Sequence, residues 1–195
     1  MKKDCIKIIL LFCTLCNQAF AQSSIETYTP FQNSSELIKN TELHLNQTYK
    51  NSLKATKDKE LKEFYTKRYS NISTKIKGNE FLFDSYFQAK LKKILDEIID
   101  KNGIDKGSIN TVIVGRSYTP NAYCYGNGLM VVNLGLIARL ENEDQLAFVI
   151  SHELAHQILN HVDNRVKKEI NERNSKAYKL KVKEIRKQKY DVLES

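Results

Sequence analysis

Residues 152–156 read His-Glu-Leu-Ala-His, and the stretch around them admits little except a helix. Histidines four apart stand one turn apart on the same helical face. Their imidazoles can converge on one Zn²⁺, each giving a nitrogen, with Glu153 alongside as a carboxylate base for the attacking water. Two ligands, an open position and a base are what a hydrolytic zinc site requires.

The flanks predict one helix from Asn142 to His161. Asn142 suits the N-cap, Gln145 stands where a capping box wants an amide, and Glu143 and Asp144 place negative charge in the first turn. Leu146 to Ile150, Leu154, Ala155, Ile158 and Leu159 put apolar groups all round, which predicts burial on most sides. Buried polar groups need a partner, and a metal supplies one. On an unbroken helix His161 lies about 140° round from His156. That reads as a helix-end histidine, not a third ligand.

Before this helix, Asn121–Tyr125 and Leu129–Asn133 read as two strands joined by Gly126-Asn127-Gly128, a hairpin. The order Asn-Ala, hairpin, Val-Val, Gly-Leu segment, acidic stretch and His-Glu-x-x-His resembles the HtpX-like and CAAX-prenyl-protease-type zinc endopeptidases, over about Phe83 to His161. The resemblance implies a zincin-like fold and one Zn²⁺ held by His152 and His156. It further implies Glu153 as general base on a zinc-bound water, and a strand near Asn121 and Ala122 along which an extended peptide substrate is laid. It implies unfolded or misfolded exported polypeptides as substrates, cleaved by a metalloendopeptidase. The metzincin pattern fits less well, because Leu159 and Val162 stand where it needs Gly and His.

The third ligand in such proteins is a Glu on a later helix, within Glu-x-x-x-Asp. Asp163, Glu169, Glu172, Glu184, Asp191 and Glu194 all lack that context. From Arg165 to Ser195 the pattern reads as continuous helix with no Gly or Pro stop. The expectation is therefore a chain truncated at its C-terminus, with the third zinc ligand beyond Ser195. The alternative is a catalytically incomplete remnant that binds peptide or protein along the hairpin edge.

Residues 1–21 read as a secretory signal peptide. Lys2 and Lys3 precede an apolar run from Ile6 to Cys16, and Ala19-Phe20-Ala21 is a cleavage pattern. An exported protein, periplasmic or extracellular, is expected. Three of the four cysteines leave with this segment, and Cys124 reads as a small apolar strand residue. The formal charge of +8 is concentrated late in the chain, with eleven Lys or Arg against three Glu between Arg165 and Tyr190. That reads as a solvated helix face, with peripheral contact to an anionic membrane as the functional alternative. No aromatic interleaving or nucleic-acid motif accompanies it, so no nucleic-acid partner is expected.

Residues 22–80 are expected to be an N-terminal helical region and 81–195 the zinc metallopeptidase domain. Phe83, Phe87, Leu91, Ile94, Leu95 and Ile98 predict one helical face ending at Asn102-Gly103, and His44 stands alone as a surface residue. Ile109–Gly115 reads as a β-branched strand. Together these predict an α+β fold, mostly helical, with a small sheet and a hairpin beside a buried active-site helix.

Overall fold

The computed structural model describes residues 31–104 and 111–193; the expected signal peptide lies outside the described residues. Three helices open the described chain: α1 (Ser35–Lys54), α2 (Lys59–Lys77) and, after strand β1 (Phe81–Leu82), α3 (Ser85–Lys101). Strands β2 (Thr111–Gly115), β3 (Ala122–Cys124) and β4 (Leu129–Asn133) follow. Then come the short α4 (Leu134–Ile137), α5 (Glu143–Ile158), α6 (His161–Asn174) and α7 (Lys176–Leu193). The expected α+β class holds: helices dominate, around one four-stranded mixed sheet of order β1-β2-β4-β3.

The sheet is a middle layer. β2 and β4 run parallel at its centre, with Val112 opposite Met130 and Val114 opposite Val132. Residues of alternate parity point to opposite faces. Val112, Val114, Met130 and Val132 therefore pack with Leu91, Leu95 and Ile99 of α3 and with Ile150 and Leu154 of α5. Ile113, Leu129 and Val131 face the other way, against Leu45 of α1 and Ile72 and Ile76 of α2. Burial on both faces explains why Thr111–Gly115 and Leu129–Asn133 read as almost uninterrupted apolar runs rather than alternating ones.

Some element boundaries differ from expectation. Phe83 is not on a helical face. Asp84 takes the N-cap of α3, its carboxylate accepting from the Tyr86 and Phe87 backbone N–H groups. Phe83 instead packs with Phe81 against the α1/α2 side of the sheet. His44 is half-buried rather than on the surface. It lies close to the backbone of Asn127 at the hairpin tip, and burial lowers its pKa.

The expected Asn142–His161 helix ends before Asn160, and the expected Arg165–Ser195 helix is broken at Ser175. Asn160 adopts the left-handed conformation at φ 51°, ψ 36° and separates α5 from α6. Ser175 is extended and separates α6 from α7, its Oγ accepting from the Tyr178 N–H. Asn and Ser end helices here through their own short side chains, without the Gly or Pro that a stop-signal reading looks for. Helix α6 packs back on α1 and α2 through Ile170 and Val166 against Leu61, Tyr65 and Leu53. Burying Ile170 contributes about 1.5–3 kcal/mol. Between residues 176 and 189 no side chain of α7 is buried. The Lys-rich face therefore lies in solvent.

Candidate metal centre

The site is built on α5. Asn142 caps it as expected, Oδ1 accepting from the Gln145 N–H at 3.0 Å. Gln145 reaches one residue further back than a capping box requires and accepts from the Glu141 N–H at 2.8 Å. Ile150, Leu154 and Gln157 fix the inward face against the sheet. The remainder is less buried than the all-round apolar pattern predicts. Phe148 is 74% exposed, and Ile158 and Leu159 are exposed with it. Phe148, His152, Ala155 and Leu159 share one outward stripe, at intervals of four, three and four residues. His152 is thus exposed, while His156 and Glu153 are half-buried on the side toward the sheet.

The two histidines meet. His152 Nε2 and His156 Nε2 lie 3.1 Å apart, with the rings nearly perpendicular. Nitrogens each about 2.0–2.1 Å from one tetrahedral zinc would stand ~3.3 Å apart, so this pair fits two ligands of one ion with a small adjustment. The donor set of two imidazoles with a carboxylate close by suits zinc over a harder cation. Among the described residues, no group of three or more His, Cys, Asp or Glu is arranged to hold a metal. Asp163 is committed elsewhere: Arg68 Nη1 donates to its Oδ1 at 2.6 Å and the Tyr65 hydroxyl to its Oδ2 at 3.1 Å.

A cleft of about 390 Å³ runs past His156, lined by Ala122, Cys124, Glu153, His156, His161 and Arg165 among others. A larger hollow of about 580 Å³, bordered by Lys75, Glu80 and Arg116, holds none of the histidines; the chemistry, not the volume, selects the site. One wall of the cleft is β3, the outermost strand beside β4. The Asn133 N–H donates to the Asn121 carbonyl and the Tyr125 N–H to the Leu129 carbonyl. Antiparallel pairing alternates, so Ala122 and Cys124 turn their backbone N–H and C=O groups away from β4, toward the outer edge. The Asn121 carbonyl faces inward, engaged with β4. The Cys124 thiol is pushed up in pKa, by burial first and by the charge of Glu153 second. Glu153 and Cys124 line the same cleft, and Cys124 is held as a neutral thiol, as a small apolar strand residue should be.

Sequence reasoning missed His161. The 140° separation assumed an unbroken helix, but the left-handed turn at Asn160 folds α6 back. His161 Nδ1 comes to 2.6 Å from His156 Nδ1. The signal that could have found this break is Asn160 itself, since Asn tolerates positive φ better than other non-glycine residues. The Asn160 and Asn164 side-chain amides then donate to the Ile158 and Leu159 carbonyls at the end of α5.

A His-Glu-x-x-His helix beside an open sheet edge defines a class of protein, the metallopeptidases. Residues 86–182, just under half of the chain, match the model of Peptidase family M48. The match takes in all of α5 and α6 and supports the M48 metallopeptidase family, whose members are zinc metalloproteases. No curated protein and no solved structure is significantly similar to the chain.

Proposed function

We propose that this chain is a zinc metalloendopeptidase acting on unfolded or misfolded polypeptide, of the HtpX-like and CAAX-protease type that the motif order from Asn121 to His161 resembles. The observation that carries the reading is the pair of Nε2 atoms 3.1 Å apart, with His156 in a cleft it shares with Glu153 and a strand edge. His152 and His156 would hold the ion. When bound, zinc supplies Lewis acidity that polarises a carbonyl and acidifies water. Glu153 takes the proton of the attacking water and returns it to the departing amine. Substrate backbone lies along β3, exchanging hydrogen bonds with the outward groups of Ala122 and Cys124. Asn121 sets the start of that edge. Recognition through backbone groups tolerates many side chains, which supports unstructured polypeptide as the substrate class. The exported setting is supported by the leader-like residues 1–21 alone.

The test is Glu153→Gln, assayed on a denatured protein substrate together with metal analysis. The reading expects proteolysis to fall by about 10²–10⁴-fold, the range for a lost general base, while zinc content stays at the wild-type level. Undiminished cleavage in this variant would remove Glu153 from the mechanism. The absence of a three-ligand group among the described residues favours a second reading, a peptide-binding module without catalysis. Under that reading the denatured protein binds equally well with and without Glu153 and is cut by neither form.

A further inference from the structure

The contact between His156 and His161 has a direction. A neutral imidazole carries one N–H, and two facing Nδ1 atoms at 2.6 Å share a single hydrogen between them. If His156 donates, its Nε2 keeps a bare lone pair, aimed at the space it shares with His152 Nε2. If His161 donates, the hydrogen of His156 sits on Nε2 and blocks that space. Only the first arrangement admits a metal. We infer that His161 is the positioning residue for His156, accepting the Nδ1 hydrogen and so fixing both the tautomer and the ring orientation that present Nε2 to zinc. Ligating histidines commonly hold their second nitrogen in such a bond, most often to a carboxylate or a carbonyl. A third imidazole takes that part here. The inference rests on the metallopeptidase reading of the site.

The fold holds His161 in place from both sides. Asn160 sets the reversal before it. After it, Val162 packs under the hairpin turn at Gly126, where φ is +76° and an added Cβ would come to 2.9 Å from Val162 Cβ. Asp163 is then clamped by Arg68, whose guanidinium also donates to the Tyr125 and Gly126 carbonyls. The Arg68 and Asp163 side chains are only 7% and 17% exposed. A surface histidine with no role would need none of this. The His156 and His161 rings meet edge to face, 4.8 Å between centroids, so the contact also limits rotation of the ligand.

The experiment compares the full chain with His161→Leu and His161→Asn. The Asn amide oxygen stands close to where Nδ1 stands and can accept the same hydrogen. Imidazole nitrogen NMR on metal-free protein reads the tautomer of His156, and chelator competition reads zinc affinity. The expected result is an Nδ1–H tautomer in the wild type that is lost in His161→Leu, with zinc bound about 10–100-fold more weakly. His161→Asn restores both readouts. Equal tautomer and affinity in wild type and His161→Leu would overturn the inference alone. X-ray absorption showing three imidazoles on wild-type zinc would also overturn it, by making His161 a ligand. A wild-type chain that takes no zinc would sink the peptidase reading and this inference together.

Discussion

His44 shows how partial burial shifts the protonation of one side chain on helix α1. It sits half-buried under Asn127, and burial lowers its pKa from the ordinary 6.5. The unfolded chain then binds that proton more tightly than the folded one. Stability is at its full value above about pH 6.5, declining as the pH falls below it and the unfolded form takes up the proton. Between pH 7.5 and 5.5 the wild-type melting temperature should drop further than that of His44→Gln. Equal drops would show that His44 does not contribute. The sequence hid this residue because nothing near position 44 announces a neighbour eighty residues away. His152, Glu153 and His156 were legible for the opposite reason. Their relation is local, set by helical geometry within five residues.

At the scale of elements, α6 is the piece on which the arrangement depends. Ile170 anchors its far half in a small cluster with Leu61 and Tyr65. The pair Arg68–Asp163 anchors its first turn, beside the histidines. Burial first and the charge of Asp163 second raise the pKa of Tyr65 to about 12. Removing one partner of a buried pair strands the other, at a cost of about 3–5 kcal/mol. Arg68→Met should therefore lower unfolding free energy by that order and weaken zinc binding as well, because α6 carries His161. A variant within 1 kcal/mol of wild type, a difference of about fivefold in the folded ratio, would deny the clamp its role. Periodicity found α3, the hairpin strands and α5 as elements, though not all of their ends: Phe83 lies before α3 and His161 beyond α5. It carried α5 through Asn160 to His161 and ran α6 and α7 together, because the breaks at Asn160 and Ser175 are made by residues that helices also tolerate.

Across the whole molecule, the sheet is the frame that brings distant segments to one cleft. Its two buried faces are closed by α1 and α2 on one side and by α3 and α5 on the other. The edge at β3 stays beside the active helix. The layer order was not legible, because apolar runs such as Thr111–Gly115 state that a strand is buried but not what covers it. The basic segment lies on the surface, with no buried side chain of α7 between residues 176 and 189. No described helix is long and apolar enough to cross a membrane. We propose that His152 and His156 form the metal anchor of this frame. The most direct measurement is zinc titration of the purified full chain beside a His152→Ala/His156→Ala double variant. The account predicts one zinc per wild-type chain and none held by the variant at the same free-zinc level. Equal zinc uptake by the two proteins, or none by the wild type, would contradict it.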